Sequence, residues 1–125
     1  MIKGLESLLV ESLTSARAYG VEDRVIASLH ETFPELDWEN IASYMVSRTA
    51  LHGKRRAEEM REVAVTVREA GLDPWMASAT AERQDWMAAS KEPAHLAQVA
   101  KDANWREYAD RLLAAVAARR TSAVD

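Results

Sequence analysis

The sequence contains no cysteine, which excludes both a disulfide framework and a zinc site built on cysteine ligands. The three histidines are not spaced as metal ligands on a single helix, so we expect no metal site. No apolar run approaches the roughly 20 residues that a membrane span requires. The N-terminus also lacks a signal-peptide cleavage pattern. These absences predict a cytoplasmic protein that does not associate with membranes.

Basic residues are fewer than acidic residues. The chain has 16 lysines and arginines against 20 aspartates and glutamates, and its formal net charge is -4 at pH 7. Because nucleic-acid surfaces are normally basic, this balance argues against DNA or RNA as a partner. With 125 residues, 48% of them hydrophobic, the chain is long enough for one domain with its own core.

Glycine and the β-branched residues are sparse as well. The four glycines are isolated from one another, so there is no glycine-rich phosphate loop. No period-two run of β-branched residues occurs, and neither does an Asn-Gly or Asp-Gly hairpin turn. Alanine, leucine, glutamate and arginine are abundant instead, and these residues favour helix. The sequence therefore predicts an all-α protein.

Helical periodicity predicts a single bundle of about six helices over residues 1–125. Gly20 and Gly71 are expected to end helices, since glycine readily takes the left-handed conformation there. Asp37 is a predicted N-cap, and Asp73 followed by Pro74 predicts another helix start. Gly53 is expected to bend or break the pattern. The predicted helices cover about residues 2–19, 22–33, 38–51, 54–70, 74–90 and 94–119, the last being one helix or two, with residues 120–125 frayed.

The densest cluster of charge lies within the longest helical pattern, residues 38–74. One helix face there carries His52, Arg55, Arg56 and Glu59. The simpler interpretation is a solvated face whose ion pairs each contribute about 0.5 kcal/mol. The functional interpretation is an anion site, because arginine offers a planar fork that recognises carboxylate or phosphate.

Two charged residues of the first predicted helix are open to the same pair of interpretations. Lys3 lies near the start of an otherwise apolar helix, where it can extend to solvent or point into a cleft. Glu11 lies between Val10 and Leu13, so its carboxylate is a candidate for a partly buried charge partner. From the residues alone, the structural interpretation is favoured for both.

Three sequence blocks, taken in order, carry a family resemblance. They are KGLESLLVESLTSARAYGV at 3–21, HGKRRAEEMREVA at 52–64 and EAGLDPWM at 69–76. Together they resemble the C-terminal helical domain of phosphogluconate-dehydrogenase-like proteins. These proteins belong to the β-hydroxyacid dehydrogenase superfamily, which includes 6-phosphogluconate and 3-hydroxyisobutyrate dehydrogenases.

The resemblance implies that cofactor binding and substrate binding belong to different domains. In such enzymes an N-terminal Rossmann domain binds NAD or NADP, and a long helix joins it to a helical domain that covers the substrate cleft and forms the dimer. The resemblance places the family's catalytic lysine upstream of Lys3, so the chain looks cut within the interdomain helix. We therefore expect no catalytic residue in this chain, no turnover and no tight cofactor binding by the chain alone.

The resemblance also points to substrate-binding residues. It places Lys3 near the cleft wall and matches Glu11 to a family glutamate. The segment that borders the active site in relatives corresponds to His52, Arg55, Arg56 and Glu59 here. Where relatives commonly carry Lys-Asp, this chain has Glu58-Glu59.

The leading hypothesis is the substrate-side and dimerisation domain of an NAD(P)-dependent hydroxyacid dehydrogenase that acts on a small hydroxyacid. Its expected partners are a Rossmann domain and a second copy of the chain. Self-association is expected because the first helix is apolar on more than one side. One alternative is a stand-alone helical interaction or dimerisation module. Another is a small helical enzyme with its own site around His52.

Overall fold

Six α-helices make up the regular structure of residues 1–124, the part of the chain that the computed structural model describes. They are α1 (Ile2–Ala18), α2 (Glu22–Thr32), α3 (Trp38–Glu69), α4 (Trp75–Ala89), α5 (Lys91–Val99) and α6 (Trp105–Val124). No strand occurs among these residues, and the predicted all-α single domain is confirmed. Within the same residues, no helix has the length and apolar character needed to cross a bilayer.

Glycines end α1 and α3 as the sequence predicts. Gly20 and Gly71 have positive φ angles of 68° and 92°. After α1, the amide of Val21 donates to the carbonyl of Ala16 and the amide of Gly20 donates to that of Arg17. The same pair of bonds follows α3, so both helices end in a Schellman motif.

At the helix starts the predictions have mixed outcomes. The carboxylate of Asp37 accepts a hydrogen bond from the amide of Asn40, so Asp37 caps α3 as predicted. The start predicted at Asp73-Pro74 is displaced by one residue. Pro74 is itself the N-cap of α4, and the amide of Trp75 donates to the backbone oxygen of Asp73 rather than to its side chain.

The largest departure from the predicted bounds lies in α3. The segments expected at 38–51 and 54–70 form one helix of 32 residues that runs through Gly53. A Cβ atom at this position would lie 2.6 Å from the backbone oxygen of Gln84 in α4. Glycine is therefore present because α3 and α4 approach each other closely, and not because the helix ends.

The C-terminal third follows the two-helix alternative for residues 94–119. These helices are α5 and α6, and α5 begins three residues earlier than expected, at Lys91. Pro93 lies in the first turn of α5, where its missing amide removes no intrahelical hydrogen bond. Residues 120–124 are helical rather than frayed, and Asp125 lies outside the described residues.

Two apolar clusters hold the helices together. The larger one packs α1, α3 and α6 against α4 and α5, and its members other than alanine are Leu9, Val10, Leu13, Trp38, Val46, Met87, Leu96, Trp105, Tyr108 and Leu112. The smaller one joins the C-terminal half of α3 to α4 through Met60, Ala64, Ala77 and Ala81. Between these two clusters, α3 carries polar side chains that meet α1 and α4.

Candidate functional site

The N-terminal end of α1 meets the middle of α3 at an ion pair on the protein surface. The ammonium of Lys3 lies 2.7 Å from Glu59 Oε2, and Arg55 Nε lies 3.7 Å from Glu59 Oε1. The hydrogen bond from Lys3 lowers the pKa of the Glu59 carboxyl, with smaller contributions from the charges of Lys3, Arg55 and Arg56. Because these side chains are 32% to 62% exposed, solvent screens the pair and its effect on stability is small.

Directly beside this pair lies a buried polar cluster formed by Glu6, Arg56 and Gln84. The Arg56 Nη1 group donates to both carboxylate oxygens of Glu6, at 2.9 Å each. The Gln84 amide donates to Glu6 Oε1 at 3.2 Å and to the Lys3 carbonyl at 3.4 Å. The side chains of Glu6 and Arg56 are only 2% and 12% exposed. This cluster ties α1, α3 and α4 together at one point.

His52 lies one turn before Arg56 on α3 and is half-buried. Burial lowers the pKa of its imidazole, and the charges of Arg48, Arg55 and Arg56 lower it further. His52 is therefore neutral at pH 7 and can act as a hydrogen-bond donor or acceptor. Because its pKa is lower in the folded than in the unfolded chain, protonation favours unfolding, and stability falls as the pH drops through 6.5 towards the folded pKa.

A shallow pocket of about 450 Å³ adjoins this histidine. It is lined by Leu51, His52, Lys54, Arg55 and Glu58. Two cations, Lys54 and Arg55, and one carboxylate, Glu58, face the pocket. Arg48 and Arg56 add positive potential nearby, since their charges contribute to the lowered pKa of His52. This part of the molecule is suited to hold a small anion.

Of the six residues expected to bind substrate, the structure brings four together at the junction of α1 and α3, which are Lys3, Arg55, Arg56 and Glu59. His52 lies one turn before Arg56 on α3, near enough for the charges of Arg55 and Arg56 to lower its pKa. Glu11 lies two turns along α1, where its carboxylate accepts a 2.6 Å hydrogen bond from Arg83 Nη2 of α4. Glu11 is mostly exposed rather than partly buried, so it serves a different surface.

Sequence reasoning missed Glu6, the partner of Arg56, and Gln84, whose amide donates to Glu6. The signal for Glu6 was present, because it precedes Leu9 by three residues and Leu13 by seven, on the face of α1 that enters the core. Nothing local points to Gln84. Among the described residues, no group of three or more His, Asp or Glu side chains could hold a metal ion.

Comparison with known proteins shows the family of this chain. Residues 16–87 match the family described as a domain of unknown function, DUF1932. The chain belongs to the DUF1932 family. Such domains are C-terminal helical domains of 3-hydroxyisobutyrate dehydrogenase-like proteins, which agrees with the sequence resemblance at this level of detail. The matched part of this DUF1932 domain includes all of α3, whereas Lys3 and Glu6 precede it.

One solved structure adds to this family assignment. The crystal structure of a conserved hypothetical protein from Sinorhizobium meliloti 1021 is 40% identical in sequence, with a TM-score of 0.72. The match covers 90% of the DUF1932 chain but only 36% of that chain. No curated protein matches the sequence.

Proposed function

We propose that this chain is the substrate-side and dimerisation domain of an NAD(P)-dependent oxidoreductase of the β-hydroxyacid dehydrogenase type. The observation that carries the proposal is the membership of a helical family found in 3-hydroxyisobutyrate dehydrogenase-like proteins. The Sinorhizobium relative supports it, because this chain accounts for only 36% of a longer polypeptide, as one domain of a two-domain enzyme would.

In this proposal nucleotide binding is assigned to a separate Rossmann domain. A dinucleotide site needs a parallel sheet and a glycine-rich turn, and residues 1–124 supply helices and isolated glycines. The reaction is oxidation of a small hydroxyacid. In the intact enzyme a nicotinamide cofactor held by the Rossmann domain would supply the hydride acceptor, and the lysine that the resemblance places upstream of Lys3 would take the hydroxyl proton.

The α1–α3 junction supplies the contacts to the substrate carboxylate. Lys3 and Arg55 are accessible cations, and each can leave Glu59 for a bound anion. Neutral His52 can donate a hydrogen bond to the same group. Arg56 is held by Glu6, so its role is to position α1 against α3.

A small 3-hydroxyacid is expected to bind at this junction and to raise the lowered pKa of His52, because a carboxylate nearby favours the imidazolium form. Binding to the domain alone should be weak, with a Kd on the order of 1 mM. The measurement is an NMR titration of the His52 imidazole against pH, with and without 3-hydroxyisobutyrate, and the signal is assigned by its loss in His52→Asn.

The matched controls are the neutral amide of the same acid and the Arg55→Gln variant. Neither the amide with the native protein nor the acid with Arg55→Gln should raise the pKa of His52 to the same extent. An equal rise with the amide, or no change with the acid, would contradict the assignment of this junction to substrate.

Dimerisation is assigned to the apolar patch formed by Leu8 and Met76, which are 54% and 79% exposed. Both side chains line the same groove between α1 and α4. Exposed large apolar side chains in one patch are typical of a protein-protein contact.

Light scattering should therefore detect a dimer at protein concentrations of ~0.1 mM, where mass action favours association. Leu8→Glu or Met76→Glu is expected to shift the protein to monomer, since a carboxylate would be desolvated in the contact. Val99→Glu is the matched control, because Val99 is also exposed but lies on α5. A monomeric native chain, or equal dissociation in the control, would exclude this dimer.

A further inference from the structure

A second groove runs between α3 and the α5–α6 region. Its volume is about 500 Å³, within the range of small-molecule sites in proteins. It is lined by Tyr44, Ser47, Arg48 and Leu51 of α3, Ala97 and Gln98 of α5, Lys101 of the connection and Tyr108 of α6. Leu51 is the only residue that it shares with the pocket beside His52.

The charge of this groove has one sign. Arg48 and Lys101 line it, and its lining includes no carboxylate. Eight of the 16 lysines and arginines form ion pairs among the described residues, and neither Arg48 nor Lys101 is one of them. Two unpaired cations in a concave surface attract an anion more strongly than the same charges on a convex one.

Arg48 is also held in place. Its guanidinium lies over the ring of Tyr44, 5.8 Å from the ring centroid. Its Nε atom is buried, and no described residue accepts a hydrogen bond from it. A buried donor without an acceptor is unfavourable, and more so when the group is charged. Because the Nε atom is closed to solvent, an anion in the groove would offset part of that cost through its charge rather than by accepting from Nε.

The remaining lining supplies both donors and apolar surface. Burial, with the charge of Glu107, raises the pKa of Tyr108, so its phenol stays protonated at neutral pH. Gln98 can also donate hydrogen bonds, whereas the Ser47 hydroxyl already donates to the carbonyl of Tyr44 at 2.7 Å. Tyr44 and Leu51 offer an aromatic face and an aliphatic wall on the same side. The groove therefore suits a ligand with an anionic group at one end and an apolar body.

We propose that this groove binds a small organic anion, a carboxylate or phosphate ester with an aromatic or aliphatic body, whose charged group contacts Arg48 and Lys101. This site is separate from the substrate contacts assigned to Lys3, His52 and Arg55. The two assignments stand independently, because Arg55→Gln alters the junction and leaves the lining of the groove intact.

The test is an NMR titration of the full chain with 3-phenylpropionate and with phenyl phosphate, followed at the backbone amides of Arg48, Lys101 and Tyr108. Saturable shifts at these amides are expected with at least one of the two anions, and the tighter one identifies the preferred charged group. The neutral alcohol 3-phenylpropanol, which keeps the apolar body, is expected to bind at least about tenfold more weakly, since it lacks the charge-assisted hydrogen bonds.

Variants separate a built site from general attraction to positive charge. Arg48→Gln and Lys101→Gln should each weaken anion binding about tenfold, the effect of losing one charged contact. Arg24→Gln removes the same charge from an exposed position on α2 and should leave binding unchanged. Lys101 is exposed, so Lys101→Gln tests the site even if Arg48→Gln fails to fold.

Three results would overturn the proposal. One is the absence of saturable shifts with both anions, and another is equal affinity for 3-phenylpropanol. The third is an equal loss of affinity in Arg24→Gln, which would show that net charge alone controls binding. Loss of binding in Arg48→Gln with retention in Arg24→Gln and Arg55→Gln would establish the groove, whatever the outcome at the α1–α3 junction.

Discussion

Replacing Arg56 with methionine is expected to lower the free energy of unfolding by about 3 to 5 kcal/mol, the usual effect of removing one partner from a buried ion pair. The cause is the Glu6 carboxylate, which is 2% exposed and would keep only the hydrogen bond from Gln84. Urea denaturation followed by circular dichroism measures this change, provided that the m value stays the same.

An exposed ion pair on the same helix supplies the control. Arg61 pairs with Asp85 of α4, and both side chains are about half exposed. Arg61→Met should therefore change stability by less than about 1 kcal/mol. The double variant Glu6→Met with Arg56→Met should recover much of the loss, because it leaves no unpaired charge in the interior. Equal losses in Arg56→Met and Arg61→Met would refute a special role for the buried pair.

The same variant bears on function. The bond between Glu6 and Arg56 holds the start of α1 against α3, and Lys3 reaches from that start to Glu59, which also pairs with Arg55. If the cluster positions the junction, a folded Arg56→Met protein should lose the response of His52 to a hydroxyacid. Arg61→Met should keep that response.

Gly53→Ala is expected to destabilise the protein by about 2 kcal/mol, as overpacking of a close contact commonly does. The sign is notable because alanine in a helix interior is usually about 1 kcal/mol better than glycine. At Gly53 the added Cβ would lie 2.6 Å from the backbone oxygen of Gln84 and 3.3 Å from the amide nitrogen of Ala88. Both atoms are backbone, so α4 as a whole must move.

Gly4→Ala is the matched control for this effect. Its Cβ would lie 3.5 Å from Thr80 Oγ1, an ordinary contact distance, and Gly4 is also inside a helix. Gly4→Ala should be neutral or stabilise the protein by up to about 1 kcal/mol. Thermal or urea unfolding of the two variants should therefore give changes of opposite sign, or at least a clear loss in Gly53→Ala alone. Similar free energies of unfolding for Gly4→Ala and Gly53→Ala would contradict the close contact, because α4 would then move away from α3 at little energetic cost.

Gly53 also shows why periodicity misjudged α3. The pattern correctly identified helix on both sides of the glycine, and only the continuity between them was wrong. A glycine within a helix lowers its stability by only about 1 kcal/mol, and packing of α4 against this face offsets that loss. Packing partners 31 residues apart are invisible to a local pattern.

Only part of the candidate site could be predicted, because a local pattern again shows residues on one helix but not their distant partners. The face shared by His52, Arg55, Arg56 and Glu59 follows from helical spacing, and the structure brings Lys3 to it. The sequence did not show that the pair of Lys3 and Glu59 is exposed whereas the pair of Glu6 and Arg56 is buried. Arg56 meets a residue 50 positions away and Gln84 meets one 78 positions away. Glu11 was grouped with this site because the resemblance matches it to a family glutamate, yet its partner lies on α4.

What the sequence by itself determined is whatever depends on neighbours within a few residues: the all-α class, the ends of α1 and α3 at Gly20 and Gly71, and the cap at Asp37. Tertiary structure alone decided that α3 is continuous, that Glu6 and Arg56 are buried together, and that two cations line a groove between α3 and α6. Helix formation is governed by local hydrogen bonds, propensity and capping. Burial and charge pairing are governed by which distant surfaces meet, and only the packed chain brings those surfaces together.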